Sequence, residues 1–300
     1  VSEVVELETA SGLRVIQSEL LLDAGLDAHG WFDASLPSTM FRPDNPFDDE
    51  TWVDDTETYN LLEGACETIG ATAINLVRTR GLLQTNRGMF VGIQDAYSVE
   101  QQKATLPGGC DIFFTNEKDV PITIQTADCV PAILYAPNKA LSIAHAGGMG
   151  TSKQTLKRAV ELLDNCGVEP DEIYVALGPS IRDNYSPTQA RDNYTIDDIR
   201  ATKPVTHTDG DVEIYDIIAT NVKQLEGAGV RADHIDTSTC LDTRNAQNAD
   251  GTSRFYSYDR DYPRTQYSQE MLRHLKPEAR IAYTKAIAAA MRRNATIAQL

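Results

Sequence analysis

Residues 126–150 read Thr-Ala-Asp-Cys-Val-Pro-Ala-Ile-Leu-Tyr-Ala-Pro-Asn-Lys-Ala-Leu-Ser-Ile-Ala-His-Ala-Gly-Gly-Met-Gly. Cys129 and His145 stand in short polar breaks at the ends of runs that otherwise have the character of buried strand. Sixteen residues of separation suit two neighbouring strands joined by a turn at Pro137-Asn138. Strand ends hold side chains in fixed relative positions, which a metal site or a Cys/His catalytic pair requires. A lone Cys usually packs as a small hydrophobe, and a lone His is usually a satisfied core or surface residue. Here Asp128 beside the Cys and glycines after the His turn the reading toward chemistry.

Working outward, 122–135 is interrupted at 125–129 and holds β-branched residues and Pro131, so it is read as two strands or one bulged strand, not a helix. The next strand covers 141–146. Thr151 and Ser152 are good N-caps for an amphipathic helix over 153–165, ended by Cys166-Gly167. Upstream, 57–80 reads as a helix, with Leu61, Leu62, Ala65 and Ile69 at helical spacing. Segments 89–93 and 111–115 read as short strands, and the Pro-, Asp- and Ser-rich 33–57 as a long surface loop. Downstream, strands are expected over 172–177, 234–239 and 255–258, and helices over 212–226, 268–275 and 282–291. The alternation lacks a regular βαβ rhythm. It implies an α/β (α+β) fold in which mixed β-sheets are flanked by helices, as a single domain over 1–300.

Composition narrows the function classes. Three hundred residues with 41% hydrophobic content support a substantial core. No run approaches the roughly 18 apolar residues of a membrane span, and residues 1–6 carry no signal-peptide pattern. A net charge of −17, from 44 acidic against 27 basic residues, disfavours nucleic acid and anionic membranes as partners. Five scattered cysteines without a CxxC pair argue against a disulfide framework and for a reducing, cytoplasmic setting. They also exclude a local zinc ribbon, so any metal site must be assembled from distant segments.

These motifs, in this order, resemble the YfiH family, also described as multicopper polyphenol oxidoreductases (laccase-domain proteins) and as purine nucleoside phosphorylases. Thr126-Ala127-Asp128-Cys129-Val130-Pro131 is complete, and His145-Ala146-Gly147 survives, with Gly148 and Met149 where Trp and Arg are usual. Further echoes are His29-Gly30-Trp31-Phe32, Gly109-Cys110-Asp111-Ile112, Leu177-Gly178-Pro179-Ser180-Ile181 and Phe255-Tyr256-Ser257-Tyr258-Asp259-Arg260-Asp261. Segment 261–289 resembles a helical insertion before a final strand over 294–300.

The resemblance implies a fold like that of the cytotoxic necrotizing factor and a mononuclear site, usually zinc, held by two His and one Cys. Cys129 and His145 match two of these ligands. The third is expected before Gly109, where Ile93-Gln94-Asp95-Ala96 offers Asp95 in place of His. Such a set leaves zinc an open position for water. The family's activity implies a purine nucleoside and phosphate as small-molecule partners. It further implies Cys129, His145 and Asp128 as catalytic groups, and Gln94, Gly147, Gly148 and Ser180 as substrate contacts. Asp128 is either a group that orients His145 or a strand-end carboxylate capping backbone, and Asp111 carries the same ambiguity. Met149 cannot bind phosphate as Arg does; Arg182, Arg244 and Arg260 are candidate substitutes. His29 reads as structural, and Tyr258 is a candidate cleft residue. Copper oxidase chemistry is not supported, because the chain's five histidines are dispersed. Two alternatives stay open: a metal-free hydrolase with Cys129 as nucleophile and His145 as base, and a non-catalytic ligand-binding member.

Overall fold

The apolar run around Cys129 becomes two strands because the chain turns at Asp128, whose φ of +77° lies in the left-handed region that a short polar residue tolerates. The computed structural model describes residues 4–36, 56–72, 77–78, 88–90, 110–182, 205–209, 212–261 and 294–300. Its first strands are β1 (Val4–Glu8), β2 (Arg14–Ser18), β3 (His29–Phe32), β4 (Val77–Arg78), β5 (Gly88–Phe90), β6 (Ile112–Thr115) and β7 (Ile122–Thr126). They are followed by β8 (Val130–Ala136), β9 (Ala140–Ala146), β10 (Tyr174–Leu177), β11 (Val205–Asp209), β12 (Val212–Asp216), β13 (Ile235–Asp236) and β14 (Asn294–Ala298). The helices are α1 (Glu19–Asp23), α2 (Thr56–Thr68), α3 (Gly148–Ser152), α4 (Thr155–Asp164), α5 (Ile217–Gly227) and α6 (Tyr258–Asp261).

Two six-stranded sheets, ordered β1-β2-β3-β14-β7-β4 and β13-β10-β8-β9-β6-β5, carry the fold. Side-chain alternation divides the core into three layers. Between the sheets, Ile16, Trp31 and Ile124 of the first meet Phe113, Ile133, Ile143 and Ala176 of the second. The outer face of the first sheet packs Val15, Phe32 and Ile297 against Leu62, Ala65 and Cys66 of α2. On the outer face of the second, Val130, Ala132, Leu134 and Ala144 pack against Leu156, Ala159 and Leu163 of α4 and Leu225 of α5. β8 and β9 are buried on both faces, which is why their sequences are largely apolar instead of alternating, with Ser142 and His145 as the polar exceptions in β9.

The mixed-sheet α+β expectation holds, and the departures are local. The helix expected over 57–80 stops at Thr68, where Gly70 takes φ +75° and the Ala71 N–H returns to the Cys66 carbonyl, a C-terminal cap. Residues 212–216 are β12, paired with β11, and α5 starts only after Asp216, whose Oδ1 accepts the Ala219 N–H at 2.8 Å. Ile214, part of the apolar helical pattern, therefore belongs to a hairpin. Thr151 and Ser152 lie inside α3 instead of capping the longer helix; the break before α4 falls at Gln154, with φ +59°.

Residues 255–258 form no strand because side chains claim their backbone. Asn294 accepts the Tyr256 N–H at 3.0 Å and donates to its carbonyl at 2.8 Å, and Arg260 donates to the Phe255 carbonyl at 2.7 Å. The strand expected over 234–239 shrinks to β13. The final strand is present as β14, which sits inside the first sheet between β3 and β7. Segments 268–275 and 282–291 lie outside the described residues, as does 262–289 of the expected insertion. Among the described residues no helix is long and apolar enough to cross a membrane.

His29 is structural, as expected. It is fully buried; its Nε2 accepts the Ser18 N–H at 3.0 Å, and its Nδ1 lies 2.7 Å from the Leu26 carbonyl. That pairing selects the neutral tautomer with the proton on Nδ1, since a second proton on Nε2 would face a donor. Burial accordingly pushes its pKa down to about 4. The unfolded chain binds this proton near pH 6.5 and the folded chain does not, so stability is lost as pH falls from 6.5 toward 4. The expected loss is about 3 kcal/mol by pH 4. Urea unfolding at pH 7 and 4.5 should show it in the wild type, and His29→Phe should flatten that part of the pH dependence.

Candidate active site

Four strand ends converge on Cys129. In the β8–β9 ladder Val130 faces Ala146 and Pro131 faces His145, so the residues just before β8 and at the end of β9 lie side by side. β6 joins through the His145 N–H, which donates to the Asp111 carbonyl at 2.8 Å. β10 pairs Leu177 with Ala132, and beyond it the Gly178 and Ile181 N–H groups donate to the Pro131 and Asp128 carbonyls at 2.8 and 2.9 Å. This continued register brings Ser180 abreast of Cys129. His145 follows Leu141 and Ile143 on the face of β9 that looks between the sheets.

Close approach of the backbone is a requirement at Gly147. A β-carbon there would lie 2.7 Å from the Cys129 Sγ and 3.6 Å from the His145 Cε1, so the sulfur occupies the place that any other residue would fill. The His145 Nδ1 lies 3.2 Å from the Asp111 Oδ1, and both residues are buried. Burial opposes charge on the ring, but the adjacent Cys129 sulfur and the Asp111 carboxylate outweigh it, so the His145 pKa is raised to about 9. Cys129 is only partly buried. The thiols of Cys66 and Cys240, by contrast, are pushed up to about 12 by burial and have no such chemistry. A sulfur, an imidazole and a carboxylate in series can hold a metal through the first two, with the third orienting the ring, or can operate as a nucleophile, a base and its support.

Cys129, His145 and Gly147 thus lie together at one end of the β8–β9 ladder. The carboxylate on His145 is Asp111, whereas Asp128 Oδ1 accepts the Thr243 hydroxyl at 2.6 Å. Thr243 carried no sequence signal. Ser180 is fully buried, and its hydroxyl has no hydrogen-bond partner among the described residues. Gly148 opens α3, and Met149 packs in the helix-side core with Ile112, Val130 and Leu156. Arg260 donates to the carbonyls of Thr243, Arg244 and Phe255 and pairs with Asp261, so it is a structural clamp and not a substitute phosphate ligand. Gln94, Asp95 and the Tyr258 side chain lie outside the described residues. β5 runs parallel to β6 with Gly88 opposite Ile112, so it starts at the Asp111 end of the sheet and runs away from it.

A Cys/His centre backed by a buried carboxylate, at the strand ends of one of two stacked mixed sheets, defines a YfiH-like α+β protein. The chain belongs to that family: the family described as multi-copper polyphenol oxidoreductase laccase matches residues 73–267. Purine nucleoside phosphorylase YlmD of Bacillus subtilis is 38% identical over 98 residues, 32% of this chain and 35% of the relative. Adenosine deaminase RL5, from an unknown prokaryotic organism, is 32% identical over 148 residues, 47% of this chain and 55% of the relative. Purine nucleoside phosphorylase of Deinococcus radiodurans is 30% identical over 187 residues, 59% and 66% of the two chains. The chain thus spans between about a third and two thirds of the length of these relatives. In fold, it is similar to the crystal structure of YlmD from Geobacillus stearothermophilus, with a TM-score of 0.68, 21% identity and 99% of both chains covered.

Two substitutions test this geometry. Gly147→Ala forces the Cys129 sulfur aside at an overpacking cost of about 1–3 kcal/mol. It should change the alkylation rate of Cys129, followed by mass spectrometry, while thermal unfolding stays cooperative. Asp111→Asn removes one of the two groups that hold the His145 proton, leaving the Cys129 sulfur; NMR titration of the metal-free protein should find its pKa below the wild-type value.

Proposed function

We propose that this chain is a purine nucleoside-processing enzyme that cleaves the glycosidic bond with phosphate, with its reacting centre at Cys129 and His145. The observation that carries the reading is the Cys129–His145–Asp111 series, with His145 and Asp111 buried and the Cys129 sulfur partly accessible, in a family whose relatives bear purine nucleoside phosphorylase and adenosine deaminase names.

The donor chemistry suits zinc at two of three positions. Cys129 and His145 supply sulfur and nitrogen, and Asp111 stands behind the ring as an orienting carboxylate. Among the described residues no group of three His, Cys, Asp or Glu could hold an ion. In this proposal the third donor is Asp95. Bound zinc would act as a Lewis acid and acidify a coordinated water. Around it, Asp111 fixes the His145 ring, and Gly147 lets the backbone lie against the sulfur. Asp128, anchored by Thr243, relays the proton given up by the attacking hydrogen phosphate to the departing purine nitrogen. As the bond from the sugar carbon to that nitrogen breaks, a phosphate oxygen forms the replacement bond. Gln94, the backbone of Gly147 and Gly148, and the Ser180 hydroxyl contact the nucleoside.

A second reading is favoured by the elevated proton affinity of His145: a metal-free thiolate–imidazolium pair, Cys129 attacking as nucleophile and His145 managing the proton. Elemental mass spectrometry with a phosphorolysis assay on inosine and adenosine separates the two. The first reading expects about one zinc per chain, lost in Cys129→Ala and Asp95→Ala, with purine release falling about a hundredfold or more. Turnover that persists without zinc, survives a chelator and is abolished by thiol alkylation would establish the second. A metal-free wild type with neither turnover nor rapid alkylation would overturn both.

A further inference from the structure

A cavity of about 460 Å³ lies at the β10–β13 edge of the second sheet, on the side covered by α5. Its walls include Tyr215 and Ile217, which belong to the helix-side core, whereas His145 lies on the opposite, inter-sheet face. The cavity is therefore separate from the Cys/His centre. Its size falls within the roughly 300–1,000 Å³ of small-molecule sites.

The lining has two chemical parts. Ile181, Ile217, Ile218, Val222 and Ile235 form an apolar wall, and Arg182 and Lys223 bring positive charge. Of the two acids in the lining, Asp216 caps the Ala219 N–H, and Glu226 lies three residues after Lys223 on α5. Arg182 donates its Nε to the Cys240 carbonyl at 2.8 Å, and it has no ion pair among the described residues. In a chain with 44 acidic residues against 27 basic ones, an arginine with no carboxylate partner among the described residues, set beside an apolar cavity, is a candidate anion ligand. Its two Nη groups are a fork suited to an anion. Arg260 shows the contrast, since its guanidinium is spent on three carbonyls and Asp261.

We propose that this cavity binds a small organic anion, with its phosphate or carboxylate head on Arg182 and its apolar or planar body against Ile217, Ile218 and Val222. The adjacent Ile181 N–H holds the Asp128 carbonyl at 2.9 Å, so the rim of the cavity is tied to the residue preceding Cys129.

Isothermal titration of the whole chain at low salt, with four probes, tests this. Adenosine 5′-monophosphate and octanoate each carry head and body, adenosine has the body alone, and inorganic phosphate the head alone. At least one of the first two should bind with a Kd at or below about 1 mM; which one binds identifies the head group. Both isolated parts should bind about tenfold more weakly. Arg182→Gln should weaken the binding about tenfold, with partial recovery in Arg182→Lys. Ile218→Trp, which fills the cavity and keeps the arginine, should abolish it, while Cys129→Ala should leave it intact. Circular dichroism establishes that each variant is folded. The proposal is overturned if neither probe binds the wild type, or if binding survives both Arg182→Gln and Ile218→Trp. Loss in Cys129→Ala overturns it as well, by assigning the binding to the reaction centre. Because these are binding measurements, failed phosphorolysis leaves the cavity proposal standing, and failed binding leaves the phosphorolysis reading standing.

Discussion

A sulfur atom stands 2.7 Å from where the β-carbon of residue 147 would be, too close for any residue but glycine, and the arrangement of the site depends on it. Cys129 precedes β8 and Gly147 follows β9, so their contact is fixed by the β8–β9 register, in which Val130 faces Ala146. A one-residue slip would turn every side chain of one strand to the opposite face. It would place Val130, Ala132 and Leu134 between the sheets and take Cys129 away from His145. The strands are buried on both faces, so the packing of three core layers opposes that slip. The strongest constraint on the chemistry is thus the hydrophobic register of two strands that, apart from His145 at the end of β9, take no part in it.

The same register explains how a charge is tolerated at His145. Desolvation of an imidazolium is costly, and it is met here by an adjacent sulfur and by a carboxylate on the next strand. The Asp111 carbonyl receives the His145 N–H while its side chain faces the ring, so one residue of β6's approach holds both backbone and side chain. His29 shows the opposite solution within the same fold. There the ring is buried among backbone partners, and its pKa is pushed down to about 4. Two histidines of similar burial are driven in opposite directions by what lies beside them.

The sheet framework was legible wherever burial left a continuous apolar run, as at 130–136 and 141–146, and where a turn residue separated runs, as at Asp128. It was illegible where side chains replaced backbone partners. Asn294 satisfies the N–H and C=O of Tyr256 from thirty-eight positions away, and nothing in 255–258 announces that a neighbouring strand is unnecessary. Helical spacing misled at Ile214 because a hairpin strand leads directly into α5, and the true boundary, Asp216, is an ordinary N-cap among many acids. In the site, Cys129 and His145 were readable as strand-end polar breaks. The choice between Asp111 and Asp128 as the carboxylate on His145 was not, since each adjoins a strand and only the sheet order, with β6 beside β9, resolves it.

Position 149 shows how a departure from the family pattern is absorbed by the fold. Met149 is buried with Ile112, Val130 and Leu156 on the helix side of the second sheet, where a flexible thioether fills space without requiring a partner. A guanidinium in that environment would need an anion to offset its desolvation. α3 is also a single short turn, held in place by α5: Asn221 donates to the Thr151 hydroxyl and Gln224 to the Thr151 carbonyl, both at 2.9 Å. The turn after His145 is therefore built to be fixed from the helix side while Gly147 meets the sulfur on the other. With Met149 at this position that support is intact, so the geometry of the Cys/His pair does not depend on a charged side chain at residue 149.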